Sequence, residues 1–488
     1  MPKLIIKISI RSGILYLSLL TVFIACEDET PQEPTAGQTA IVEITSGLVE
    51  IRQGDVVVYT SEARDVNGTI IDDPIFHWSI VPPTAGFFGE EGRFVGYTPG
   101  SATIVARAPP GIRDSLTINI SPRALTGRFE VIGHTEIGIH LGTHISVNGN
   151  YAYTGTRRDR VIVWDITDPA NPIRSADVEL GPEITLINNV MVRSDGLIAA
   201  VGLQGQSGGL VLLDLTNPGN PEVLITVDEG GLESGWGAAV GDGDHQSYGI
   251  HNLWIEGNLV YAGVDIFSSP ELSKLYVIDI SNLEDPKIID TFYAGFSRTH
   301  DVHLRDGLAF ISHWEAGLFI FDVSSMQSGD TLSNLKLLGS VQTEGRATHN
   351  AYYYPENDYV FVGEEGSTPA TGVLYVIDAS DLSNPHEVAR YVDCCKGGTI
   401  FPSELPAHSF AMDEEAEILY VATWFGGVYA LDVSGELMGR LDKQGRRIAR
   451  MGATFGTALS TAYSIKLHND LLYVSAMRTG IWVLNLIR

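Results

Sequence analysis

What is scarce in this 488-residue chain narrows its function before any motif is read. Basic residues are few: 31 Lys and Arg stand against 60 Asp and Glu, a formal net charge of -29. A nucleic-acid surface needs a basic footprint, so no nucleic-acid partner is expected. The acidity fits a solvated surface first, and cationic partners or divalent metals second. Cysteine is nearly absent, with Cys26, Cys394 and Cys395 alone. Three cysteines exclude a disulfide scaffold, and the 44% hydrophobic content has to build the core. No Cys-x-x-Cys or His-Glu-x-x-His pattern occurs. Glycine-rich stretches fall in turns, without the strand-to-helix setting that a phosphate loop needs.

A comfortable membrane span is also missing at the N-terminus. Lys3, Lys7 and Arg11 precede an apolar run from Ile14 to Ile24, which is short for a crossing and suits a signal segment. The run ends Phe23-Ile24-Ala25-Cys26, which resembles a bacterial lipobox, with Phe23 departing from the usual aliphatic residue. The resemblance implies that residues 1–25 are removed and that Cys26 carries lipid, since several acyl chains give stable anchoring. The plainer alternative is an ordinary secretory signal with an incidental cysteine. Residues 26–38 hold Glu27-Asp28-Glu29 and two prolines and cannot bury a core, so they read as a tether. Acidic residues just after a lipidated cysteine resemble the export tag of surface lipoproteins. That implies a chain anchored in the bacterial outer membrane and facing outward.

Residues 39–122 alternate as short strands: Ala40 to Ile44, Leu48 to Ile51, Val56 to Ala63, Ile75 to Ile80, Ala102 to Ala108 and Ser115 to Ile120. Their spacing predicts a β-sandwich. The run Trp78-Ser79-Ile80, then Gly92 to Gly96, then Gly100 to Ala106 resembles a bacterial Ig-like domain of group 2. Trp78 is then the expected inter-sheet residue, and a spacer is the expected role.

The remainder, 127–488, is organised around one recurring stretch. Leu275-Tyr276-Val277-Ile278-Asp279-Ile280-Ser281, with Asp285-Pro286 after it, has copies closing on Asp165, Asp214, Asp322, Asp378, Asp432 and Asn485. Counting Asp279, the steps are 49, 65, 43, 56, 54 and 53 residues. Each run is β-branched and aromatic, too short for a helix, and ends in turn residues. Seven such copies predict a propeller-like array. Here the chain resembles the LVIVD-repeat family of bacterial propeller proteins. The full expectation is all-β: an Ig-like β-sandwich followed by a seven-bladed β-propeller. In the fourth unit the strands are expected at Thr299 to Leu304, Leu308 to Ser312, Leu318 to Val323 and Leu335 to Val341. The seventh unit lacks an outer strand, and Arg128 to Gly133 matches one, so an N-terminal strand should close the ring. The Asp ending each third strand should accept turn N–H groups.

Candidate chemistry comes from aligning the innermost strands. Their leading positions are Thr143, Asn188, His251, His300, His349, His408 and Tyr463. Loops opening at the same end carry Arg157, His313, Glu315, Glu364, Glu365, Trp424 and Arg478. Neutral imidazoles are common metal ligands, so His251, His300, His349 and His408 could hold a transition metal, with Glu315 or Glu364 as a further ligand or support. The alternative is that repeated His reproduces a repeat template, each ring bonded to a neighbouring backbone. Arg157, His313, Trp424 and Arg478 would make a ligand-binding face. Cys394-Cys395 could form a vicinal disulfide or remain two thiols. Asp242-Gly243-Asp244-His245 lacks the closing Glu of a calcium loop and reads as a polar loop.

Three functions follow. The leading one is recognition of an extracellular protein or glycan by the propeller of an envelope lipoprotein, with the membrane as a partner through the lipid. The second is a metal-dependent oxidase or hydrolase using the four histidines. The third is a structural adhesin acting through the Ig-like module. No cofactor other than a transition metal is suggested, and the sequence leans away from an enzyme.

Overall fold

The computed structural model describes residues 35–488, apart from 182–185, 205–208, 228–248, 267–272, 296, 328–333, 366–372, 393–406, 425 and 453–460. Cys26, the Cys394-Cys395 pair and Asp242 to His245 lie outside the described residues.

The chain is all-β, and most of it is a succession of four-stranded antiparallel sheets. Among the described residues, seven sheets follow one another from Arg128 to Ile487; six are of this kind, and the fifth gains Gly439–Arg440 as an added parallel strand on His386–Tyr391. In the fourth, Thr299–Arg305 pairs with Leu308–His313, then Gly317–Asp322, then Lys336–Val341. The expected strands were therefore placed to within about one residue. Period-2 alternation explains why. Side chains on both faces of a middle strand such as Gly317–Asp322 are buried against neighbouring sheets, so the whole run is apolar. Asp306 and Gly307 both have positive φ, the twist that a two-residue hairpin between the first two strands requires.

The six recurring aspartates each accept the backbone N–H two residues on. The distances are 2.9 Å from Thr167 to Asp165, 2.8 Å from Thr216 to Asp214 and 2.8 Å from Ser281 to Asp279. They are 3.1 Å from Ser324 to Asp322, 2.9 Å from Ser380 to Asp378 and 2.9 Å from Ser434 to Asp432. The acid is thus a turn-maker.

The innermost strands stand side by side around a common axis: Gly142–Asn148, Leu186–Val192, Ile250–Glu256, Thr299–Arg305, Thr348–Tyr354, Ala407–Asp413 and Ala462–His468. Each packs on the next, and the last packs on the first. The seventh sheet takes its outer strand from the N-terminal side: Arg128–Thr135 pairs antiparallel with Gly480–Ile487, from Arg128 opposite Ile487 to Thr135 opposite Ile481. The first strand of the array thus completes its last sheet.

Residues 41–121 form a smaller unit of two packed sheets. One orders Glu50–Arg52, Ile112–Ser121, Gly100–Ala108 and His77–Val81; the other orders Val56–Val58, Arg93–Gly96 and Gly86–Phe88. Ile41–Ser46 pairs separately with Thr60–Arg64. The expected strand at Ile75 begins instead at His77, leaving Ile75 exposed. Tyr59 and Phe94 fill the centre of this core, whereas Trp78 is half-buried and stacks on Phe88 at 5.6 Å.

This unit is docked on the sixth sheet. Buried Arg446 donates to the Gly54 carbonyl at 2.7 Å and to the Ser434 carbonyl at 3.0 Å. Gln53 donates to the Lys443 carbonyl at 3.0 Å, and Arg440 N–H donates to the Tyr97 hydroxyl at 2.9 Å. Buried Arg123 meets Asp432, one of the recurring acids, at 3.2 Å.

Candidate functional site

Two strand positions, repeated around the axis, build the site. The first is the leading position of the innermost strands. A register shift after it, as between Thr299 and Asp301, turns both it and the following residue toward the axis. The four histidines come together as a continuous arc. Ring centroids are 3.9 Å apart for His251 and His300, 4.3 Å for His300 and His349, and 4.5 Å for His349 and His408. Tyr463 continues the arc at 4.1 Å from His408. The remaining two positions close differently: Thr143 donates to the Ile187 carbonyl at 2.6 Å, and Asn188 bonds the His251 carbonyl at 2.9 Å and the Tyr463 hydroxyl.

The second position is the residue just past the end of the second strand, described in six of the seven sheets: Arg157, Asp265, Trp314, Glu365, Trp424 and Met477. Arg157, Trp314, Glu365 and Met477 mark their equivalence by the same bond, each N–H reaching the carbonyl two residues before its sheet's leading position. Asp265 Oδ2 lies 3.7 Å from His300 Nε2, and Glu365 Oε2 lies 3.2 Å from His349 Nε2. Trp314 sits 4.7 Å from His300 and carries the Arg298 guanidinium 4.1 Å above its ring. Trp424 stands edge-on to His408 at 5.0 Å. Arg157 is exposed, and its charge acts on His251, His408, Tyr463 and Glu365.

This changes the expected ligand set. Glu364 ends its strand and points between sheets, accepting from the Thr343 hydroxyl at 2.6 Å and lying 3.4 Å from the Tyr375 hydroxyl. Glu315 is one residue too far along. It pairs with Arg298, taking its N–H at 3.0 Å and its Nε at 3.1 Å. His313 also ends a strand, and it is buried against Thr299 at 3.1 Å and beside Phe292 and Phe319. Arg478 is exposed one residue beyond the site position. The carboxylates that meet the imidazoles are Asp265 and Glu365. Aligning the ends of the second strands, as the inner strands had been aligned, would have found them.

Burial dominates the electrostatics. Desolvation pushes His251 down to about 3 and His408 to about 4, and holds His300 and His349 well below the ordinary imidazole value. The same cause raises Asp265 and Glu365 to about 7. The rings are therefore neutral, with lone pairs available. His251 Nδ1 lies 3.2 Å from Gln204 Oε1 and His408 Nδ1 lies 2.6 Å from the Tyr463 carbonyl, so each Nδ1 is the protonated nitrogen and Nε2 is left free.

Below this arc the next residues form a second tier: His144, Asn189, Asn252, Asp301, Asn350, Ser409 and Ser464. Asn189 donates to Asn252, Asn252 to Asp301, and Ala351 N–H to Asp301 at 3.3 Å. A cavity of about 90 Å³ lies among this tier and the deeper Trp254, His303, Tyr352 and Lys466. Burial raises Asp301 to about 6 and lowers Lys466.

A Gly-x-Ser-x-Gly spelling exists at 205–209, but it links Ile198–Gln204 to Gly209–Asp214. Its serine lies outside the described residues, and the spelling is flanked by two paired strands where the motif calls for a strand and a helix.

The family description LVIVD repeat matches residues 142–179, 298–343 and 357–393. The chain carries these repeats and is a propeller-type repeat protein, an architecture suited to a binding or scaffold module. No curated protein matches it. Among solved structures it is similar to Saccharomyces cerevisiae Sqt1, at 9% identity and a TM-score of 0.46, over 71% of this chain and 83% of that one.

Proposed function

We propose that the chain is a ligand-recognition module of the bacterial envelope. In this reading a seven-bladed β-propeller (127–488) is held off the outer membrane by lipid on Cys26, the acidic tether 26–38 and an Ig-like spacer (39–122). The signal peptide is residues 1–25. The ligand, an extracellular glycan or protein segment, is taken at the imidazole end of the axial channel.

One observation carries the choice of face. Two half-buried tryptophans, Trp314 and Trp424, and two guanidinium groups, Arg298 and Arg157, converge there around a recessed polar arc. Aromatic faces with a few directed polar groups are how concave sites grip a ligand. Support for the anchor comes from the sequence around Cys26 alone, and protease shaving of intact cells tests the outward display.

Binding is tested with the full-length chain against neutral and acidic oligosaccharides and acidic peptides, read by tryptophan fluorescence and calorimetry. A ligand should be found whose affinity falls at least tenfold in Trp314→Ala and in Trp424→Ala. Binding unchanged in both variants, or lost only when residues 39–122 are deleted, would replace this reading with the adhesin. A second reading, a metal-dependent enzyme, is favoured by the imidazole and carboxylate cluster itself.

A further inference from the structure

Beyond recognition, the upper arc has the composition of a metal centre. Among the described residues two donor groups lie within 4.8 Å internally: His251, Asp265 and His300, then His300, His349 and Glu365. They share His300, so the two groups adjoin at that ring. We propose that His251, His300 and His349, with Asp265 and Glu365, bind one divalent transition-metal ion of the zinc or copper class at this end of the channel.

The first argument is unmet valence. Buried polar atoms almost always have partners. Here His300 Nδ1, both ring nitrogens of His349, and Asp265 Oδ1 are buried without a hydrogen bond of good geometry. His300, His349 and Asp265 are only 4%, 3% and 5% exposed. Leaving such atoms unpaired costs on the order of 1–3 kcal/mol each, so a template role alone would select apolar residues here. The second tier, one residue along the same strands, shows what polar side chains do when bonding is their purpose.

The second argument is size. Donors on opposite sides of an ion with bonds of about 2.1 Å are roughly 4.2 Å apart. Within each group of three the spread is at most 4.8 Å, which closes onto an ion by small side-chain rotations.

The third is charge. Two carboxyl groups meet the arc, Asp265 Oδ2 at 3.7 Å from His300 Nε2 and Glu365 Oε2 at 3.2 Å from His349 Nε2. Two carboxylates would balance the charge of one divalent cation held there. Gln204, at 3.2 Å from His251 Nδ1, orients one ring in the manner of an outer partner. Imidazole donors favour zinc, copper or iron over calcium and magnesium. The inference does not depend on which organic ligand, if any, the face takes.

The test is metal binding by the chelator-treated, full-length chain, with Zn²⁺ and Cu²⁺ added alone and followed by calorimetry and elemental analysis. About one equivalent is expected. Affinity should fall at least 100-fold in His300→Ala and His349→Ala, and about 10-fold or more in Asp265→Asn and Glu365→Gln. His303→Ala, three residues deeper on the same strand, should bind as the parent does. Failure of the parent to take up either ion overturns the proposal, and so does undiminished binding in both His variants. Should those variants fail to fold, the Cu²⁺ electron paramagnetic resonance spectrum of the parent decides. Hyperfine coupling to two or more imidazole nitrogens supports the site, and oxygen-only coordination overturns it.

Discussion

The two tiers of the channel occupy neighbouring residues on the same seven strands, yet they end in opposite states. The lower tier is largely bonded to itself: Asn189 to Asn252, Asn252 to Asp301, Asp301 to the Ala351 backbone, and Ser409 to the Ile465 backbone at 3.3 Å. Only the amide oxygens of Asn189 and Asn350 stay without partners there. The upper tier is bonded through Thr143, Asn188 and Tyr463 and through Nδ1 of His251 and of His408, and is open at His300 and His349 in the middle of its arc. A fold that can satisfy polar groups one residue away has the means to satisfy these. The unsatisfied tier therefore marks the place where something other than the chain supplies the partners.

The comparison is broken most severely by opening the ring. Both tiers need all seven inner strands held around the axis, and Arg128–Thr135 completes the last sheet. Deleting residues 127–135 should lower the melting temperature by more than about 10 °C and leave an aggregation-prone edge. A truncated chain that melts like the parent would refute the closure.

The next test sets one tier against the other in metal-free protein. Asn252→Leu strands the Asn189 amide and an oxygen of Asp301, and should cost about 2–4 kcal/mol in urea unfolding. His349→Leu removes two buried ring nitrogens that bond nothing well, and should raise stability by about 1–3 kcal/mol. Equal costs would erase the distinction drawn here.

The smallest effect is in the pH dependence. Asp265 and Glu365 titrate higher in the folded chain, at about 7, than they would unfolded. The folded state thus holds more protons between pH 4 and 7. Stability from this source is full below the unfolded values and is lost as pH rises through about 7. The imidazoles act oppositely: depressed when folded, they contribute above about 6.5 and withdraw that contribution as pH falls. Comparing metal-free parent with Asp265→Asn/Glu365→Gln isolates the carboxyls. Between pH 4 and 7 the parent should lose more stability than the double variant, the Glu365 share being reduced by solvent. Parallel pH profiles would show that these carboxyls are not held neutral.

Much of this was legible in the sequence for a physical reason. A middle strand buried on both faces must be a continuous apolar run, so Leu275 to Ile280 and its copies could be counted. The aspartate after each run is fixed by turn chemistry. The stray strand at Arg128 was legible because the seventh unit visibly lacked a partner. The histidines were legible because strand register carries one position around the ring. The carboxylates were not, since a strand end is uncertain by a residue and one residue reverses direction. Glu364 and His313 fell inside their strands and Glu315 and Arg478 fell past the rim, while Asp265, in the same register as Glu365, went unmarked. Trp78 does reach across to the opposite sheet, stacked on Phe88, but it sits beside a centre that Tyr59 and Phe94 fill. The docking of residues 41–121 had no signal at all, because Arg446, Gln53 and Arg123 act across several hundred residues or on backbone carbonyls.

That docking has a mechanical consequence. The strand that seals the ring follows directly from the smaller unit, so a pull on residue 35 would by covalent path arrive at Arg128, at the free end of the seal. The Arg446 contact to Gly54 and the Arg123 contact to Asp432 join the smaller unit to the sixth sheet by a second route, in parallel with the chain. Load entering at the N-terminal side is shared with that clamp before it can peel Arg128 from Ile487. The molecule has a strain relief where its seam would otherwise be weakest.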